Sequence, residues 1–480
     1  MKNGYIVIDI GTGNLRVAIV TTEGEILSIN TNDVNYIKEN RYMNSCYFDP
    51  KEMLKQINSL ILKSLNETGN IQIEAITSTS QREGIVLIDN TGTPLLGIPN
   101  VDNRGQEWED DFKDNRDIYN TTGRWPTTVF SALKLYGIQN KEKELWNEIT
   151  CFTSISDWVG YELTGKLVYE KSQASETLLF DVEKAVWSLK MCEVFGVPIE
   201  WLPDIVESGT IQGEVLQDKK EFLPTNQNIP FIVGGADTQL AVKGTQIEKE
   251  DTVLVSGTTT PIVKIIDEYL RDQKQRCWIS RNVNPNEFML ETNAGVSGLN
   301  YQRLRKIFFA DKTFDEIEDK ISLINEPKIL ASLGTLVFDK NLPLYNGGFI
   351  MNAPVNHDMR IEDFIYAVIF DIAASIKYNF DVLSTLSPVH KDYIYGCGGG
   401  FKGKVLPQLL ADLIGKDIIV KNGFSQASIM GGVVICNETL NIDSIKFSNV
   451  KIFKPNPNNE INQYYDKWYN YRNNINNIKV

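Results

Sequence analysis

Tyr5-Ile6-Val7-Ile8-Asp9-Ile10-Gly11-Thr12-Gly13-Asn14-Leu15-Arg16-Val17-Ala18-Ile19-Val20 opens the chain with two apolar runs around a four-residue turn. Tyr5 to Ile10 and Leu15 to Val20 have strand length and composition, and Gly11 to Asn14 is turn chemistry, so the stretch predicts a β-hairpin. Thr21-Thr22-Glu23-Gly24 is a second turn, leading to a third strand at Glu25-Ile26-Leu27. Met53, Leu54, Ile57, Leu60, Ile61 and Leu65 then recur at helical spacing, predicting a helix over 51–66. Ile71 to Thr77 and Gly84 to Ile88 read as strands. This is α/β alternation.

The pattern returns near the middle. Pro230 to Val233 runs into Gly234-Gly235-Ala236-Asp237 and a helical stretch to Lys243. A second hairpin follows, with Thr252 to Val255, the turn Ser256-Gly257-Thr258-Thr259-Thr260, and Pro261 to Ile266. The same device used twice, about 245 residues apart, predicts two similar halves, 1–245 and 246–480. The second half closes with a strand at Asp392 to Tyr395, a glycine cluster at 396–403, a helix at Val405 to Ile414, a strand at Ile418 to Val420 and a helix through Gly431-Gly432. Tyr464, Tyr465, Trp468, Tyr469 and Tyr471 predict a packed terminal helix.

Length and charge narrow the function. The 480 residues are 42% hydrophobic and 23% charged, ordinary for a globular protein and too long for one typical domain. A net charge of −14 argues against a nucleic-acid binder or a partner of anionic membranes. An acidic surface also repels ATP at long range, so a nucleotide pocket needs local backbone donors. No stretch approaches the roughly 20 apolar residues of a spanning helix. Asp9 interrupts the N-terminus before a signal-peptide core could form, so a cytoplasmic protein is expected. Six scattered cysteines without a CxxC pair disfavour a zinc site and a disulfide framework. Two histidines, His357 and His390, leave little for imidazole chemistry.

Several residues carry chemistry. Glycine and threonine in a tight hairpin let backbone N–H groups and a hydroxyl approach phosphate oxygens, although each hairpin is also readable as an ordinary β-turn. Asp9, at the end of a buried strand, needs compensation such as a hydrated metal ion. Gly398-Gly399-Gly400-Phe401-Lys402-Gly403-Lys404-Val405 fits GxxxxGK but ends in Val rather than the hydroxyl residue that ligates Mg²⁺, so it is not a P-loop. It reads as a glycine loop for adenosine or as a plain strand-to-helix turn. Ser80-Gln81-Arg82-Glu83-Gly84 and Asn100-Val101-Asp102-Asn103-Arg104 each set a fork donor near a carboxylate, suited to a polyhydroxy ligand or to a solvated surface pair. Asp237 suits a general base or a helix cap.

The order of these motifs is more specific than any one of them. Asp9-Ile10-Gly11-Thr12, Gln81-Arg82-Glu83, Asp102-Asn103-Arg104, Gly234-Gly235-Ala236-Asp237, Ser256-Gly257-Thr258 and Gly398-Gly399-Gly400 resemble the motif series of the FGGY carbohydrate kinases. Ser156-Asp157-Trp158, Leu163-Thr164-Gly165 and Trp201-Leu202-Pro203 add to the likeness, which runs from about residue 5 to about residue 440. The resemblance implies an α/β chain of two actin-like domains (ribonuclease H-like, of the hexokinase and actin type) around a central cleft. It implies ATP and Mg²⁺ as cofactors, a small sugar or polyol as substrate, and is compatible with a homodimer. By the same resemblance, Asp237 is the catalytic base, and Gln81, Arg82, Glu83, Asn100, Asp102 and Asp237 meet the acceptor. Gly11, Thr12, Gly13, Arg16, Gly257, Thr258 and Thr259 meet ATP phosphates, and Gly398, Gly399, Gly400 and Phe401 flank adenosine. Asp9 and Asp237 hold Mg²⁺ through water.

Gln81-Arg82-Glu83 resembles the glycerol kinase acceptor motif, and the wider stretch from Arg82 to Leu87 with Asn100 to Arg104 looks more like the autoinducer-2 kinases, which act on a linear dihydroxy-pentanedione. The Trp common at the Asn100 position in glycerol and xylulose kinases is missing. Gly137 stands where Trp is usual after Lys134. The helix around Tyr366 to Ala373 lacks the usual Arg-Ala and Glu-Gly pairs, and Asn346-Gly347-Gly348 replaces the usual Gly-Glu-Arg. A glycerol or pentulose kinase is the alternative acceptor class. From other classes come a catalytically weak sugar or nucleotide sensor and an actin-like filament, and the acceptor motif speaks against the filament.

Overall fold

A computed structural model describes all residues except 1, 223–227, 325–326, 335–345, 444, 446–447, 457–458, 476 and 478–480. The opening hairpin is formed by β1 (Lys2–Ile10) and β2 (Asn14–Thr21), with β3 (Ile26–Asp33) completing an antiparallel meander. The helix α1 (Pro50–Thr68) is capped by the Asp49 carboxylate, which accepts from the Lys51 and Glu52 N–H groups. Its buried stripe, including Met53, Ile57, Leu60 and Ile61, lies along the sheet. β4 (Ile71–Ser80) and β5 (Pro230–Ala236) then add parallel to β1, giving the central order β5-β4-β1-β2-β3, with Ile211–Glu214 as the outer edge strand. After β5 the chain turns into α2 (Asp237–Gly244).

The second half repeats the plan. β6 (Thr252–Val255) and β7 (Thr259–Ile266) form the second hairpin, and β8 (Phe288–Val296) lies antiparallel to β7. The 26-residue helix α3 (Ile361–Leu386) leads to β9 (Tyr393–Cys397), parallel to β6. The helix α4 (Val405–Ile414) leads to β10 (Asp417–Lys421), parallel to β9, and then to α5 (Ala427–Leu440). The terminal helix α6 (Asn459–Ile475) buries Trp468 and Tyr464, as the aromatic stripe predicts. No helix among the described residues is long and apolar enough to cross a membrane.

One boundary differs from the sequence reading. The return strand of the second hairpin begins at Thr259, so Pro261 lies inside it. Proline gives no ladder N–H, and the strand accommodates it with a register shift between Thr259 and Pro261.

The two halves meet where α2 crosses α5. A Cβ on Gly431 would lie 2.0 Å from the Leu240 carbonyl oxygen, and one on Gly244 would lie 2.1 Å from that of Ala427. Only glycine at each position lets the helix backbones touch.

Candidate active site

Strand register builds the site. β1, β4 and β5 run parallel, with Ile10 and Ala236 each level with Ser80. The next residue of each strand therefore leaves the sheet at one edge: Gly11, Gln81 and Asp237. Ligand sites of α/β sheets lie at such carboxyl ends. The repeat does the same, with Val255 level with Cys397, so the turns at Ser256 and Gly398 are neighbours.

Asp9 is 1% exposed and is compensated from both halves. Arg16, its cross-strand partner, forms an ion pair with Oδ2, and the Ser428 hydroxyl at the start of α5 donates to the same oxygen at 2.7 Å. Arg16 also donates to Gln426 at 2.8 Å. The predicted phosphate-side arginine and the predicted metal-side aspartate are thus bonded to one another. Among the described residues no group of three or more His, Cys, Asp or Glu is placed to hold a metal. A single buried carboxylate beside a glycine turn does fit Mg²⁺, which keeps most of its waters and needs few protein ligands.

Gln81, Arg82 and Glu83 form a buried polar knot. Gln81 donates to the Tyr36 hydroxyl at 3.2 Å and accepts from the Asn100 N–H at 2.9 Å, while Thr12 donates to the Asn100 side chain at 3.1 Å. Arg82 grips Glu291 of β8 with two hydrogen bonds of 2.6 and 3.2 Å, joining the first half to the second. Burial alone would raise the Glu291 carboxyl, but Arg82 and Arg124 hold it below the usual range. Glu83 has a φ of +62°, and its carbonyl accepts from Ser131 at 3.2 Å and from Lys134 at 3.1 Å. These bonds fix an uncommon backbone state for a non-glycine residue. Burial pushes the Glu83 carboxyl up and the Lys134 ammonium down.

Asp237 opens α2, where its Oδ1 accepts from the Thr238 N–H at 2.6 Å. Burial pushes its carboxyl up to about 6, with Arg82 opposing the shift and Asp9 adding to it. A carboxylate near that value is charged at neutral pH yet basic enough to take a proton.

Register and packing bring Asp9, Thr12, Gln81, Arg82, Glu83, Asn100 and Asp237 to one edge. Asp102 is not among them: it is fully buried, and its oxygens accept from Arg104 at 2.8 Å and the Cys46 N–H at 2.9 Å. In the second half, Gly257 and Thr258 are exposed on their turn. Gly398 has a φ of +89°, and a Cβ there would lie 2.3 Å from the Ser256 carbonyl oxygen, so this loop seats directly on the other turn. Gly399 has open space around it. The Phe401 ring is fully buried beneath Gly396, so a ligand on this loop would meet backbone rather than that ring. Sequence reasoning did not find Arg124, Glu176 or Glu291. Glu291 had a signal, a charge directly after Phe288-Met289-Leu290 within a buried strand.

Each half thus carries a glycine turn at the carboxyl ends of its central strands, and the first half adds Asp9, Glu83 and Asp237 at that edge. The chain matches the N-terminal domain of the FGGY family of carbohydrate kinases over residues 4–244 and the C-terminal domain over 344–439. It is 44% identical over 469 residues to "Putative sugar kinase YoaC" of Bacillus subtilis, covering 97% of this chain and 96% of that one. It is 24% identical over 440 residues to an Escherichia coli autoinducer-2 kinase, covering 86% and 82%. Its fold matches xylulose kinase from Lactobacillus acidophilus with a TM-score of 0.86 at 18% identity, covering 99% and 98%. It matches Plasmodium falciparum glycerol kinase solved with ADP with a TM-score of 0.85 at 20% identity, covering 100% and 99%. The chain belongs to the FGGY family of carbohydrate kinases, a family of phosphotransferases acting on sugar hydroxyls.

Proposed function

We propose that this chain transfers the γ-phosphoryl group of ATP to a hydroxyl of a small linear sugar, polyol or dihydroxy-pentanedione. The observation that carries this is the placement of Asp237 on the strand edge shared with Asp9, Gly11 and the acceptor motif. Magnesium, when bound with ATP, neutralises phosphate charge. Asp237 takes the proton of the attacking hydroxyl as the new bond forms. Asp9, steadied by Arg16 and Ser428, would hold the hydrated metal together with Asp237. The Gly11 to Gly13 turn, with Arg16 behind it, and the Gly257 to Thr259 turn offer donors to the phosphates. Gly398 to Gly400, with Phe401 beneath, give adenosine a flat backbone.

Gln81, Arg82, Glu83 and Asn100 hold the acceptor's hydroxyls, while Asp102 is bonded to Arg104 and the Cys46 N–H. The domain division at 245–246 belongs to the same reading, with the acceptor and first phosphate turn before it. Glycerol and pentuloses are the alternative acceptors. Coupled ADP release with glycerol, erythritol, pentuloses, hexuloses and dihydroxy-pentanedione tests the reading. Magnesium-dependent turnover of at least one supports it, and a folded enzyme inert with all of them overturns it.

A further inference from the structure

The knot around Arg82 holds more hydrogen-bonding capacity than its own members use. Arg124 is fully buried, directs Nη2 at both Glu176 oxygens at 2.6 and 2.7 Å, and lies 4.6 Å above the Trp278 ring. Its Nε and Nη1 have no partner among the described residues. Gln239, also fully buried and two residues beyond Asp237 on α2, donates to Glu176 at 3.3 Å, while its Oε1 has no partner among them. Glu176 lies 3.8 Å from Arg82 as well, which ties this surplus to the acceptor motif. Native interiors rarely leave such groups unpaired, and each case needs a reason, such as an ordered water or a bound ligand.

We propose that Arg124 and Gln239, held by Glu176, form a subsite for the end of the acceptor remote from the phosphorylated hydroxyl. We infer further that it selects an uncharged acceptor bearing a hydroxyl beside a second oxygen function. This rests on the kinase reading above for the identity of its ligand as the acceptor. Arg124 requires a lone pair and Gln239 Oε1 requires a hydrogen, which a hydroxyl or hydroxy-carbonyl supplies together. An ionised carboxylate supplies no hydrogen. Charge points the same way: Arg82 and Arg124 are already bonded to Glu291 and Glu176, and Glu83 and Asp237 stand beside them. An added anion would meet more carboxylates than free cations.

The test is calorimetric titration of the full chain, without ATP, with D-xylulose, glycerol and gluconate as probes. The double exchange Arg124→Gln, Glu176→Gln removes both charges at once, so neither is stranded. Gln239→Leu, which removes only the amide, serves if that variant does not fold. The expected result is a neutral probe bound at least about tenfold more tightly than gluconate, and a loss of about tenfold or more in the variant. Gluconate bound equally well, neutral binding unchanged in the variant, or no probe bound by the parent overturns the subsite. ADP release is read separately. Arg124-dependent binding of a neutral probe by an enzyme that is inert with every acceptor of the panel would support the subsite and sink the kinase reading.

Discussion

Replacing Gly431 by alanine should disturb catalysis from outside the site. The new methyl would start 2.0 Å from the Leu240 carbonyl oxygen, where real contacts do not fall below 3.0 Å, and the obstacle is backbone. The helices α2 and α5 must therefore separate by about 1 Å. Overpacking of this kind costs about 1–3 kcal/mol, which for domains of this size lowers Tm by roughly 2–10 °C. The catalytic effect should be larger than the stability effect suggests. Asp237 opens α2 and Ser428, which bonds Asp9, lies near the start of α5, so one displacement moves Asp237 and a hydroxyl that holds Asp9. A misplacement near 1 Å can cost about 10²-fold in rate. Scanning calorimetry with steady-state ADP release measures both. An alanine variant within about a degree of the parent Tm and within a factor of about two in kcat would refute the reasoning.

Glu83→Ala should raise the acceptor KM by about tenfold or more with the ATP KM little changed, since it strands acceptor hydroxyls; unchanged acceptor kinetics would make Glu83 a bystander. The acid limb of kcat/KM should fall below pH about 6, because Asp237 must be deprotonated to act and protonation removes the base. A profile flat to pH 5 would contradict that assignment. Asp9→Asn should raise the magnesium concentration for half-maximal rate, and an unaltered magnesium titration would remove Asp9 from the metal site.

The hairpins were legible because each strand is a short apolar run ended by a glycine turn, and local chemistry decides such elements. Asp9, Arg82 and Asp237 were legible by motif order. What sequence could not show was pairing across the fold. Arg82 and Glu291 are separated by 209 residues and Asp9 and Ser428 by 419, and only the meeting of two domains brings them together. Asp102 shows the converse. Its motif resembles the acceptor loop, yet Arg104, two residues on, folds back and uses both of its oxygens. Arg124 and Glu176 lie in stretches whose composition reads as ordinary loop and helix, and burial alone distinguishes them.

The most direct test of the account is kcat for Asp237→Asn, measured with the acceptor that the parent phosphorylates, across a magnesium titration and with circular dichroism confirming the fold. General-base catalysis contributes about 10²–10⁴-fold, and asparagine keeps the shape and the bond to the Thr238 N–H while losing the basicity. The account predicts a folded variant with parental nucleotide affinity and kcat reduced by that factor. A folded variant turning over within a factor of a few of the parent would contradict it.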